Sequence, residues 1–395
     1  MLFALPLEAE ESTRTPEALR TELKEVEAFR SKDQYEEGMR LAEKVLAIAR
    51  DEQYDEVVIE ALYQIAILQY FQEDYDSARA NLEVGYNEAK RLKLTSLSAD
   101  FLGALGVLEW KLGNLARAQA DLVDTLALFE ELKEPVCMAS TANNLGNISA
   151  SLKNYPEAID WYVRGLSFLA DTENDRLRAS LLSNLAEVLI PSGRLQEAEQ
   201  YLDQSMALEE KLGDPRNMAY TYYNFGELRS RQNKPEEALE LYRKALRMQE
   251  ELDDDWAASG TRLRLAEEYL NLDRTEDALS ELEIAFEAAK KMNALSQLRD
   301  IAALMARAYG KTGESGLETY YKDLAGWFAS RTRENQIKEP ILPEPEREPE
   351  VTTPTELGAG NRHLPFRTAT IIILCMMIGL LVMENVRLRK QAGKM

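Results

Sequence analysis

The sequence has one histidine and two cysteines in 395 residues, and both scarcities exclude chemistry. His363 lies in a proline-rich stretch near the C-terminal end, so no histidine general base is available upstream. Nucleophile, base and orienter arrangements therefore lack their usual centre. Cys137 sits inside a helical pattern and Cys375 inside an apolar run, which leaves neither a disulfide framework nor a thiolate metal cluster. No glycine-rich loop follows a strand: Gly358-Ala359-Gly360 falls in a linker. The abundant carboxylates read as solvated helix surface rather than as a catalytic pair. A non-enzyme is expected, with no cofactor and no metal.

Strand signals are also few. Proline is scarce before the C-terminal fifth, and Ala, Leu, Glu, Lys and Arg dominate residues 15 to 335, which favours an all-α protein. Lys and Arg number 47 against 69 Asp and Glu, a formal charge of −22. Phosphate backbones are bound by clustered cations, so no nucleic-acid partner is expected. The acidity serves solubility and would attract basic partners.

What is present is self-similarity. Every fortieth position gives Gly38, Ala78, Ala118, Ala158, Ala198, Ala238 and Ala278. Twelve residues ahead of that comb runs a second one, a bulky residue before a small one: Ile65-Ala66, Leu105-Gly106, Leu145-Gly146, Leu185-Ala186, Phe225-Gly226, Leu265-Ala266 and Met305-Ala306. Seven residues after the alanine comb come mostly small residues, such as Gly85, Gly165 and Ala245. Each unit reads as two antiparallel helices, with small residues where backbones approach. About seven such hairpins are expected. Gly113-Asn114, Lys153-Asn154, Gly193-Arg194 and Asn233-Lys234 suit the turns, and Pro156 and Pro235 fall near the start of second helices.

These residues resemble the tetratricopeptide repeat, whose pattern pairs Leu-Gly in the first helix with an alanine twelve residues on. ANNLGNISASLKNYPEAIDWY at 142 to 162 and NFGELRSRQNKPEEALELY at 224 to 242 are the best matches. The period of forty and the missing terminal proline depart from the family pattern and resemble the lengthened repeats of kinesin light chains and MalT-type regulators. The resemblance implies a right-handed superhelical solenoid over residues 20–325, with degenerate capping units at Glu25-Val26 and Glu318.

In the resembled family, first helices line a concave groove that binds a protein or an extended peptide. Carried onto this sequence, the groove is apolar and aromatic at Tyr63, Ile67, Tyr70, Val107 and Trp110, amide-lined at Asn143 and Asn147, and acidic at Glu187, Glu227 and Glu267. Tyr223 is a further fifth-position contact, and Arg307 is the one groove cation. Asn144, Asn184 and Asn224 recur before the Leu-Gly-type pair until Arg264 breaks the series. Their amides would bond either a peptide backbone or neighbouring helices. Tyr70 and Trp110 also fit ordinary hairpin packing. A peptide with an apolar anchor and downstream basic residues would complement such a groove.

Beyond the array, residues 326–367 read as a Pro/Glu-rich linker, 368–386 as a transmembrane helix contacting the lipid bilayer, and 387–395 as a short basic tail. Residues 1–19 form a separate N-terminal segment in which MLFALPLEAE resembles the end of a signal peptide, although it lacks a basic start. Arg387, Arg389, Lys390 and Lys394 follow the apolar run, so the tail is expected in the cytoplasm and the repeats outside it. That order resembles the input half of bacterial receptors. Tail anchoring with cytosolic repeats is the alternative topology, and an architectural brace for a membrane complex is the alternative role. Oligomeric state is left open.

Overall fold

The computed structural model describes residues 15–333. The helices run α1 (Pro16–Arg30), α2 (Tyr35–Asp51), α3 (Asp55–Phe71), α4 (Tyr75–Arg91), α5 (Thr95–Lys111), α6 (Leu115–Leu132), α7 (Pro135–Ser151) and α8 (Tyr155–Phe168). They continue as α9 (Asp175–Leu189), α10 (Leu195–Leu212), α11 (Pro215–Arg231), α12 (Pro235–Glu251), α13 (Asp255–Asn271), α14 (Thr275–Lys291), α15 (Leu295–Thr312) and α16 (Ser315–Arg333). Among the described residues there is no strand. Within residues 15–333, sixteen helices make eight hairpins, one more than expected. The two combs are offset by one helix: the alanine comb starts with Gly38 in α2, the bulky-small comb ends with Ala306 in α15, and only their union counts every unit.

The turns obey a finer rule than the combs. A left-handed residue recurs every twenty positions, at Asp33, Gln53, Glu73, Lys93, Gly113, Lys133 and Lys153, then from Gly193 to Gly313. Each helix is closed by a backbone bond reaching back past this residue, as in Asn114 N–H to Glu109 C=O at 2.8 Å and Asn154 N–H to Ser149 C=O at 2.8 Å. The series skips one turn. Helix α8 stops at Phe168, and Arg178 from the next helix donates to the Leu169 and Thr172 carbonyls at 2.8 and 2.9 Å, supplying the cap that the backbone otherwise makes.

The alanine comb is fully buried, from Ala78 to Ala278 at 0% exposure. Where a glycine ends the bulky-small pair, a large side chain fills the missing methyl: an added Cβ on Gly146 would lie 2.4 Å from the Tyr162 ring, and one on Gly226 would lie 2.5 Å from the Tyr242 ring. Buried apolar side chains form five clusters in succession along the described array, and each unit buries its stripe only on its neighbours.

Packing extends beyond both expected ends. Leu19 is fully buried in α1, and α16 continues past residue 325 to Arg333, with Phe328 fully buried and its ring 6.5 Å from that of Phe286. Trp327 and Phe328 prolong the apolar stripe, so the helix has reason to continue. The signal-peptide-like stretch, the rest of the Pro/Glu-rich linker, the membrane helix over 368–386 and the basic tail lie outside the described residues. Among the described residues, no helix is long and apolar enough to cross a membrane.

Candidate functional site

Curvature follows from which helices touch. Odd helices pack on the next odd helix at α1–α3, α3–α5, α5–α7, α7–α9, α9–α11 and α13–α15, while no two even helices pack comparably. The odd helices therefore form the inner, concave wall and the even helices the outer one. Each odd helix buries two faces, against its hairpin partner and against the neighbouring unit. A half-buried strip remains, at Asn143, Asn144 and Asn147 in α7, Tyr223 and Glu227 in α11, and Arg264 and Glu267 in α13.

The polar part of this strip is wired to the scaffold. Tyr162 reaches through from α8 and donates to Asn147 Oδ1 at 2.7 Å. The Asn184 amide donates to Asn143 Oδ1 at 2.9 Å and, more weakly, to Asn147 Oδ1 at 3.4 Å. Tyr220 donates to Glu187, and Tyr242 to Glu227 Oε1 at 3.1 Å. Arg264 contacts Glu227 at 2.7 Å, Glu267 at 2.9 Å and the Tyr223 hydroxyl at 3.2 Å. One register rule runs through this network: the residue two before the small one reaches back about one repeat, from Asn184 to Asn143, Asn224 to Ser183 and Arg264 to Tyr223.

Three expectations change. Asn224 is buried at 1% exposure and donates to Ser183 Oγ at 3.2 Å, so it belongs to the contact between hairpins and offers no amide to the groove. Its neighbours Ser183, Thr221 and Glu209 continue a buried polar chain, with Thr221 donating to Glu209 Oε1 at 2.9 Å. Arg307 is not the one groove cation, because Arg264 sits in the strip and pairs with two of its three carboxylates. Arg307 instead is exposed near the far end and donates to Asn271 Oδ1 at 3.3 Å. Finally, the acidic stripe is concentrated at Glu187, since Glu227 and Glu267 are ion-paired.

The apolar end packs as a hairpin core with one open edge. The Tyr63 ring stands edge-on to Phe101 at 5.2 Å, and Tyr70 edge-on to Tyr75 at 5.8 Å. Trp110 lies against the cluster around Leu122 and Leu145. Ile67 and Val107 are half-buried beside them.

Electrostatics sharpen the picture. Burial raises Tyr63 to about 12 and, with Glu134 nearby, lifts the Asp100 carboxyl to about 6. Partial desolvation raises the Glu187 carboxyl, reinforced by Glu227 and opposed by the Tyr220 hydrogen bond, while its side chain stays open to solvent. Burial lowers the Arg264 guanidinium's proton affinity, but Tyr223 and Glu227 more than offset this and hold it charged. Sequence reasoning missed Tyr162, Tyr220, Tyr242 and Arg264 as site residues. The broken asparagine series at Arg264 was the available signal. Among the described residues, no cluster of three metal-ligating side chains occurs.

A concave wall of stacked helical hairpins with half-open polar side chains fixed from behind defines an α-solenoid. Two family models, each described as tetratricopeptide repeat, match residues 103–167 and 177–251, and the gap between them spans the irregular α8–α9 turn. No curated protein matches the chain by sequence. Among solved structures, the apo quorum sensor NprR from B. thuringiensis is similar at 16% identity and TM-score 0.63, covering 80% of this chain and 88% of that one. A Rap protein complexed with competence and sporulation factor gives 13% and 0.56, covering 82% and 100%. The signal transduction ATPase PH0952 from Pyrococcus horikoshii, which has a tetratricopeptide repeat sensor, gives 14% and 0.57, covering 83% of this chain and 49% of that one. At these identities the likeness is one of fold.

Proposed function

We propose that this chain is a membrane-tethered scaffold whose right-handed superhelical array binds an extended segment of a partner protein or peptide along its concave face. The observation that carries the reading is the strip from Asn143 to Glu187, where amides and a carboxylate stay half-open or exposed while Tyr162, Asn184 and Tyr220 hold them from behind. Preorganised polar groups at the helical repeat spacing suit a chain that offers backbone groups at intervals. The similar Rap structure holds competence and sporulation factor, and another Rap regulator, of plasmid pLS20, holds the Phr* peptide; both complexes support the reading by analogy of fold. The bound segment is expected to place an apolar anchor near Tyr63 and Ile67 and a basic residue at Glu187, the acidic-stripe carboxylate left without a cation.

The tether is the apolar run at 368–386, with the basic tail in the cytoplasm and the repeats outside, as the input part of a signalling assembly. Pull-down from the native host tests the binding role: Asn144→Ala and Glu187→Arg should lose partners that the wild type retains. Retention of every partner would favour the rival role, an architectural brace acting through the outer face. Protease added to intact cells, or to spheroplasts, should digest the repeats; protection beside an accessible control would place them in the cytosol.

A further inference from the structure

The face of α11 turned toward the outer helices carries an irregularity that the groove does not use. Of the seven bulky residues in the bulky-small comb, six are buried, none more than 6% exposed, but Phe225 is only half-buried. It forms part of the floor of a crevice of about 430 Å³ between α10 and α12, walled by Met206 on one side and Leu241 on the other. The volume falls at the small end of the roughly 300–1,000 Å³ typical of ligand clefts. The crevice is an open trough between two helices rather than an enclosed cavity, so a helix laid between α10 and α12 matches it better than a small molecule does.

The rim is acidic. Asp203, Glu210, Glu237 and Glu240 line it against Arg229 and Lys244. Arg229 is already held by Glu199 at 2.7 Å and by Glu237 at 3.1 Å, and Lys244 lies over the Tyr222 ring. With Glu237 itself paired to Arg229 and to Lys234, the carboxylates of Asp203, Glu210 and Glu240 outnumber the remaining rim cation, Lys244, around an apolar floor.

We propose that this crevice is a second docking surface, which takes the apolar anchor of a partner's amphipathic helix flanked by Lys or Arg. It faces away from the concave strip, so it can be occupied while the groove is filled.

The test uses full-length protein in phosphatidylcholine nanodiscs, with empty discs as the blank. The probe is a fluorescent peptide of about four helical turns, roughly 14 residues, built of Leu on one face and Lys on the other; a Leu/Glu peptide of equal length is the control. The Lys peptide should bind and the Glu peptide should not. Met206→Glu should weaken binding roughly tenfold although it adds negative charge, and Ala207→Trp, at an exposed lining position that leaves the core intact, should do the same by filling the trough. Glu240→Lys should also weaken it, whereas Glu36→Lys on distant α2, an equal change of charge, should stay within about twofold. Unchanged binding in both Met206→Glu and Ala207→Trp, or equal losses from Glu36→Lys and Glu240→Lys, would show only attraction to an acidic protein and overturn the proposal.

Discussion

The Tyr162 hydroxyl meets Asn147 Oδ1 at 2.7 Å through a gap that exists because residue 146 is glycine. One contact thus joins the core of a hairpin to its groove-facing side chain. The same arrangement recurs two hairpins along, where Gly226 admits Tyr242 and Tyr242 donates to Glu227. Where alanine replaces the glycine, at Ala66, Ala186 and Ala266, leucine replaces the tyrosine, at Leu82, Leu202 and Leu282.

Gly146→Ala should therefore destabilise the array by about 2–3 kcal/mol through overpacking against the Tyr162 ring. Combining it with Tyr162→Leu should recover at least about 1 kcal/mol of that loss, a coupling measurable in a double-mutant cycle by urea titration. Additive losses would mean the pair is not coupled.

Much of this was legible in the sequence, and the reason is periodicity. Positions buried on two sides tolerate only small or only bulky residues, so the combs from Ala78 and Ile65 register the hairpins directly. The half-buried strip on the odd helices falls at positions that register picks out. What remained hidden depended on single side chains rather than on a repeating constraint. Left-handed turns held by Gln53, Glu73 or Lys133 leave no glycine to read. Asn224 faces a neighbour because Ser183 stands opposite it, and Arg264 joined the groove because its long side chain spans to Glu227 of the preceding hairpin.

Those turns give a second prediction. Lys133 is exposed and left-handed, with φ 56° and ψ 46°, so Lys133→Gly should stabilise by about 0.5 kcal/mol. Gly213 has φ +63° and open space around it, so Gly213→Ala should cost about 1 kcal/mol from backbone strain alone. Thermal melts of the two variants should move in opposite directions.

Glu109 is fully buried, within 3.1 Å of Arg79 and 3.2 Å of Arg117, and it accepts from the Asn114 amide at 2.6 Å. Glu109→Gln removes the charge that both guanidinium groups face. The expected loss is about 2 kcal/mol, below the usual 3–5 kcal/mol because both arginines keep partial contact with water. Chemical denaturation would check it.

Asp100 supplies the pH dependence. Burial, reinforced by Glu134, lifts its carboxyl from 3.8 to about 6, so the neutral form is the one the fold favours. A folded value above the unfolded one means this stability is fully present below about pH 4 and is lost as pH rises through 6. Asp100→Asn should accordingly stabilise the protein by about 1–3 kcal/mol at pH 7.5, with the gain vanishing near pH 4. Melting curves of both proteins across that range would show the two lines converging on the acid side.

The central claim is that a partner lies in the concave groove, and site-specific photo-crosslinking in the native host tests it most directly. Benzoylphenylalanine would replace Asn144 and Glu187 on the inner wall, and Val163, which is 47% exposed on outer helix α8, as the comparison. The account predicts adducts to one common partner from positions 144 and 187 and none to that partner from 163. Adducts from 163 with none from either groove position would contradict it.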